Sequence, residues 1–392
     1  MQTHLKTSVA ALALSLAGGS ALADINVGVV FSLTGPAASL GAETKKAVEL
    51  MPQTLGAEKI NYIILDDATD PTNAVKNARK LIGENKVDVI LGPNLITSGT
   101  AMADVANEEK TVLLSMAPIE VAADKQKWAF RVEPTAEIMV GRAVADMKEK
   151  GIKTVGFVGF NDSWGELLLK ALTKTTDAAG IKIVATERFA RTDTSVTGQA
   201  LKVLAAKPDA VFVGGSGTPA ALPQSTLRER GYKGPIYQSH AVANRDFLRV
   251  GGKAVEGARL AVAPVLVAEQ LPDSHPNKKV GLAFVHAVEA KNGPNTRSTF
   301  AGAAWDGWLM LEGAFTTALK SAKPGTPAFR EGVRDALEKT SKLVGANGTY
   351  TMSPANHGGY APTSPVLIEV ANGSWKLEAG QVNRRPHRDG KR

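Results

Sequence analysis

The sequence predicts an α/β protein built as two doubly wound parallel-sheet domains joined by hinge strands. Three observations point there. The chain has 392 residues, 44% of them hydrophobic, enough to fill two separate cores. Short β-rich runs alternate regularly with helical segments, the mark of parallel sheets with crossover helices. The alternation then restarts near the middle of the chain.

From Ile25 the order is strand INVGVVFSL, helix 42–50, strand INYIILDD, helix 72–84, strand VDVILG, helix 99–108 and strand TVLLSM. Continuous apolar runs such as VDVILG suit strands covered on both faces. After WAFRVEP a second series follows: helix 138–150, TVGFVGF, helix 165–179, IKIVATERF, helix 197–206, DAVFVGG, helix 220–230 and PIYQS. The stretches 128–134 and 258–265 are expected to pass between the domains, because helical segments of the first kind resume after Asn277. One lobe is then 24–137 plus 264–348 and the other 138–263 plus 349–380, with 381–392 a basic disordered tail.

The ends and the composition narrow the function. Residues 1–23, MQTHLKTSVAALALSLAGGSALA, have a short basic start, an apolar stretch and small residues at the end, the pattern of a secretory signal cleaved near Ala23. Gly18, Gly19 and Ser20 interrupt the apolar run, which is too short to serve as an anchor. The absence of cysteine excludes disulfides, zinc–thiolate sites and thiol nucleophiles. The formal charge of +8 falls to +7 when Lys6 leaves with the signal, and much of the excess lies in the tail RRPHRDGKR. Export and the lack of a basic–aromatic constellation argue against a nucleic-acid partner.

In open α/β sheets ligands lie beyond the carboxyl ends of the strands, so the loops beginning at Ser32, Gly92, Ser115, Asn161, Gly214 and Gln238 form the candidate site. None carries a catalytic signature. Gly214-Gly215-Ser216-Gly217 lacks the third glycine and the acidic residue of a dinucleotide fingerprint, and Thr218 stands where a nucleophile elbow needs glycine. No phosphate-binding loop occurs, and His275, His286 and His357 lack ligand spacing, so neither an enzyme nor a cofactor or metal is expected. Asp66-Asp67 and Asp70 resemble a calcium fragment, but Pro71-Thr72-Asn73 fits a helix start capped by Asp70 or Thr72. Thr97-Ser98-Gly99-Thr100 precedes a helix and reads either as an anion site or as plain capping. Trp164, in NDSWGE, either walls a pocket or anchors its loop, whereas Trp308, three residues after Trp305, is a core residue.

Taken together, INVGVVFSLTGPAASLG, DDATDPTNAVKNARKLI, LGPNLITSGTAMADVA, GFVGFNDSWGE, YQSHAVANRDFLRVGG, AAWDGWLMLEGA and YTMSPANHGGY resemble periplasmic solute-binding proteins of the branched-chain amino acid (Leu/Ile/Val-binding) transporter family. The resemblance spans nearly the whole chain after the signal. It implies the type I periplasmic binding protein fold and a periplasmic, monomeric receptor that closes on a small molecule and presents it to an ABC permease in the inner membrane, without catalysis.

The resemblance also assigns site residues. It implies that the ligand carboxylate meets the loop at Thr97 and Ser98, one of which is the anchor, and backbone groups at Ala117 and Ile119. Leu40 and Trp164 line the ligand, and Ser216 and Gly217 form a further loop. His240 takes the position of a glutamate that pairs with the ligand ammonium, so the implied ligand is an aromatic or otherwise amine-free carboxylate. Three alternatives stay open: a branched-chain amino acid, amide or urea bound by the same fold; a ligand-sensing domain for a signalling partner; and an exported enzyme on this scaffold.

Overall fold

The computed structural model describes residues 24–378; the expected leader 1–23 and tail 381–392 lie outside the described residues. The first sheet contains β1 (Ile25–Phe31), β2 (Thr54–Leu55), β3 (Glu58–Asp66), β4 (Val89–Leu91), β5 (Val112–Ser115) and β6 (Ala129–Arg131), in the order β2-β3-β1-β4-β5-β6. Its pairings are parallel apart from the β2–β3 hairpin. The second sheet begins with β7 (Thr154–Phe160), β8 (Lys182–Phe189), β9 (Ala210–Gly214), β10 (Ile236–Gln238) and β11 (Ala258–Val262). A small ribbon, β12 (Leu343–Val344) and β13 (Thr349–Tyr350), precedes β14 (Val366–Ala371) and β15 (Ser374–Leu377), which complete the second sheet. The order there is β15-β14-β11-β10-β9-β7-β8, with β14 and β15 added antiparallel at one edge.

Each sheet therefore reverses strand order around its first strand, β1 in one and β7 in the other, and that reversal opens a crevice at the carboxyl ends. The helix after each of these strands starts against its own strand end. A Cβ on Gly41 would lie 2.1 Å from the Ser32 carbonyl oxygen, and one on Gly165 only 1.9 Å from that of Phe160. Glycine is required at both positions, and the residue before each, Leu40 or Trp164, projects at the switch point. Asp162 fixes the second of these starts by accepting from the N–H groups of Trp164 and Gly165. Asp70 caps helix Pro71–Gly83 through the Asn73 N–H, which decides between the two expected caps.

The cores are apolar and separate. Helices Lys278–Asn292, Thr299–Ala318 and Pro327–Leu337 bring Phe284, Trp308 and Phe329 onto the first sheet, while Phe157, Phe160, Leu168, Phe212 and Tyr237 fill the second lobe. Each fully buried large side chain contributes roughly 1.5–3 kcal/mol, so these contacts hold each lobe together without disulfides.

Two details differ from expectation. The stretches 128–134 and 258–265 hold β6 and β11, which pair within the sheets; the crossings follow these strands, because the strand backbone is occupied by ladder hydrogen bonds. The final return comes later than residue 349. Tyr350, Met352 and Tyr360 pack in the first core, the Tyr360 hydroxyl donating to the Asn347 carbonyl, so the chain crosses between Tyr360 and Val366.

Candidate ligand-binding site

The lobes are closed on each other, and Ala37, Leu40, Leu95 and Phe300 of the first lobe pack against the second core. Between them lies a narrow cavity, lined from the first lobe by Leu40, Asn94, Leu95, Ile96, Met116, Pro118, Glu133 and Phe300 and from the second by Trp164, Arg191, Ser216, His240 and Ala241. A groove bordered by Arg245, Arg249, Arg297 and Trp375 shares none of these residues.

Strand order arranges the second wall. The loops after β8, β7, β9 and β10 carry Arg191, Trp164, Ser216 and His240 in that spatial sequence. Arg191 is fixed from three sides: Nε donates to Asp162 at 2.6 Å, Nη1 donates to the Ser216 hydroxyl at 2.7 Å, and the guanidinium lies 4.2 Å over the Phe160 ring. The Trp164 indole N–H donates to the Gly215 carbonyl at 2.9 Å, which satisfies its polar edge and leaves the ring as an apolar wall. His240 meets that ring edge-on, with centroids 5.4 Å apart.

At the far end His240 faces Glu133 from β6. Their Nε2 and Oε2 atoms are 3.9 Å apart, beyond hydrogen-bond reach. The Nδ1 of His240 and the Oε1 of Glu133 are buried with no partner among the described residues. Burial pushes the His240 imidazole down to about 4. Burial, with Asp306 nearby, pushes Glu133 up to about 8. At neutral pH both face each other uncharged, so they are not an ion pair.

Of the residues implied by the resemblance, Leu40, Trp164, Ser216 and His240 line the cavity and the others do not. The Thr97 side chain is exposed, and the Ser98 hydroxyl is buried with no hydrogen-bond partner among the described residues. The helix begins three residues earlier than expected, at Ile96, with Leu95 and Ile96 lining the cavity and Thr97 exposed. The first ladder bond runs from Gly99 N–H to the Leu95 carbonyl, so the N–H groups of Ile96, Thr97 and Ser98 remain as terminal donors. The N–H of Ala117 is taken by the Ser115 hydroxyl and that of Ile119 by the Ala117 carbonyl. The Gly217 N–H donates to the Ala241 carbonyl, and the residue's positive φ lets it sit beneath Leu40, where a Cβ would come within 2.7 Å of the Leu40 side chain.

Arg191, Glu133, Met116 and Phe300 are site residues that sequence reasoning missed. The first two follow β8 and β6, whose carboxyl-end loops obey the same rule as the six loops that were considered. A carboxyl group nevertheless lines the cavity: Glu133 comes from the lobe opposite His240. Among the described residues no group of three or more His, Asp or Glu side chains could hold a metal ion, and no helix is long and apolar enough to cross a membrane.

The comparisons with known proteins agree with this architecture. The family model described as Periplasmic binding protein matches residues 24–372. A Leu/Ile/Val-binding protein of Rhizobium johnstonii is 27% identical over 395 residues, covering 96% of this chain and 98% of that protein. An extracellular ligand-binding receptor from Rhodopseudomonas palustris HaA2 superposes with a TM-score of 0.88 at 44% identity, over 91% of this chain and 100% of that one. An ABC-transporter solute-binding protein from Rhodopseudomonas palustris BisB5, solved with 3,4-dihydroxybenzoic acid, shares the fold at 21% identity with a TM-score of 0.77, over 90% and 95% of the two chains. Two reversed sheets, an interlobe cavity and a family match across residues 24–372 lead to one conclusion: the chain belongs to the periplasmic binding protein family and is similar in sequence to Leu/Ile/Val-binding proteins.

Proposed function

We propose that this protein is an exported receptor that binds an aromatic or otherwise amine-free carboxylate between its lobes and delivers it to an ABC permease. The observation that carries this reading is Arg191, held by Asp162 and Ser216 at the edge of the cavity beside Trp164. A guanidinium fixed in this way is pre-organised for a carboxylate, so little side-chain entropy is lost on binding. The anion anchor is thereby moved from Thr97 and Ser98 to Arg191 and Ser216, while the free N–H groups at Ile96–Ser98 add favourable helix-end potential. Leu40, Leu95, Ile96, Met116 and Phe300 supply apolar walls for a ring or chain.

An ammonium is disfavoured because its partner would be Glu133, which burial and the neighbouring Asp306 keep protonated. The 3,4-dihydroxybenzoic acid held by the Rhodopseudomonas palustris BisB5 protein shows that this fold accommodates a benzoic acid. A second reading rests on the same Glu133 carboxyl: ionised by a ligand ammonium, it would let the cleft take a branched-chain amino acid, as the name of the Rhizobium relative indicates for that protein.

Thermal-shift screening of the mature protein separates the two, since a ligand that binds only the folded state raises Tm by mass action. Benzoates and hydroxycinnamates are expected to raise Tm, and leucine and valine to leave it unchanged. Stabilisation by leucine or valine with none by the aromatic acids would overturn the reading.

A further inference from the structure

We infer that Glu133 and His240 form a hydroxyl-reading subsite, so that the preferred ligand is an aromatic acid bearing a hydroxyl at the end opposite its carboxylate. The inference rests on the carboxylate-binding reading above and adds a second point of recognition to it.

Glu133 and His240 are 6% and 7% exposed, line the cavity from opposite lobes, and lie beyond Ser216 and Trp164 from Arg191 in the order of the strand ends. His240 Nε2 and Glu133 Oε2 approach to 3.9 Å without a hydrogen bond, and the other polar atoms, Nδ1 and Oε1, are buried with no partner among the described residues. Buried polar groups are ordinarily satisfied, so two polar side chains that face each other beyond hydrogen-bond reach at the cavity wall mark a place where a third group belongs.

The chemistry of that third group follows from what the pair can donate and accept. A neutral imidazole offers one donor and one acceptor, and a protonated carboxyl offers the same. A hydroxyl oxygen is likewise donor and acceptor in a single atom. Lying about 2.8 Å from each side chain, it bridges two heavy atoms that are 3.9 Å apart. An ammonium suits the pair only where both side chains accept, and a carboxylate only where both donate; a hydroxyl also suits the mixed case, in which one side chain donates and the other accepts. The Trp164 ring, held against His240 at 5.4 Å, keeps the imidazole in place for this contact. A methyl ether at the same position lacks the donor and adds bulk in a closed space.

Calorimetric titration of the mature protein with matched pairs tests this: 4-hydroxybenzoate against benzoate, 4-hydroxycinnamate against cinnamate, and the 4-methoxy analogues. Within at least one pair the hydroxyl compound is expected to bind at least tenfold more tightly than both its unsubstituted and its methoxy counterparts. In the Glu133→Leu and His240→Leu variants, checked for folding by circular dichroism, that ratio is expected to fall to within about twofold. Equal affinity of hydroxyl and unsubstituted acids in the wild-type protein would overturn the subsite and leave the carboxylate reading standing. Binding of leucine but of none of the acids would overturn both. A ratio that survives both leucine variants would also defeat the assignment of these two residues, whatever their effect on stability.

Discussion

Glu133 and Asp306 are both carboxyl groups buried in the first lobe, and burial pushes both upward, to about 8 and about 7. Their surroundings differ. Asp306 accepts from the Ala346 N–H at 2.5 Å, the Asn347 N–H at 2.8 Å and the Tyr350 hydroxyl at 2.9 Å, so it ties helix Thr299–Ala318 to the ribbon region 345–350. Glu133 Oε1 is buried with no hydrogen-bond partner among the described residues, and the side chain lines the cavity. Burial alone therefore does not mark a functional acid; an acid that the fold leaves unsatisfied does.

The sharpest way to break this contrast is to remove the satisfied acid. Asp306→Ala strands three donors in the core and is expected to lower unfolding stability by about 3–5 kcal/mol in urea denaturation. A loss below about 1 kcal/mol would show that Asp306 is not the structural member of the pair. Next in size, Arg191→Gln is expected to weaken binding of an aromatic acid by about 30–100-fold, roughly 2–3 kcal/mol, with little change in Tm of the free protein. Unchanged affinity would remove Arg191 as the anchor.

His240→Glu places a second carboxyl group beside Glu133 and removes the imidazole donor. At least tenfold weaker acid binding is expected by fluorescence titration, and a variant that binds the native acid as tightly as wild type would refute the role given to His240. The smallest effect concerns pH. Because Glu133 is pushed up from 4.5 to about 8, the folded chain retains a proton that the unfolded chain loses, and this contribution to stability is lost as pH rises through that interval. His240, pushed down from 6.5 to about 4, contributes in the opposite sense below pH 6.5, so the Glu133 effect is read between about pH 6.5 and 8. Relative to wild type, Glu133→Gln is expected to gain about 1 kcal/mol of stability across that window; parallel pH profiles of the two proteins would contradict the assignment.

The two-sheet architecture was legible because its signals are local. Runs such as VDVILG and TVGFVGF name buried strands, and Gly41 and Gly165 mark the strand-to-helix turns that aim Leu40 and Trp164 into the cleft. The site was legible in part for the same reason: Trp164, Ser216 and His240 follow strands that periodicity reveals. What stayed hidden depends on contacts distant in the chain. Glu133 and His240 are 107 positions apart by number and meet only when the lobes close. Arg191 becomes a site residue because Asp162 and Ser216, 29 and 25 positions away, hold it in place. The expected facing of Thr97 and Ser98 depended on a helix boundary: with the start at Ile96, Thr97 is exposed while Leu95 and Ile96 line the cavity.

Calorimetric titration of the mature wild-type protein with benzoate-type and cinnamate-type acids, run beside leucine at neutral pH, tests the central claim most directly. Saturable binding of at least one aromatic acid, with no heat from leucine, is the predicted result. Saturable binding of leucine with none for the acids would contradict it.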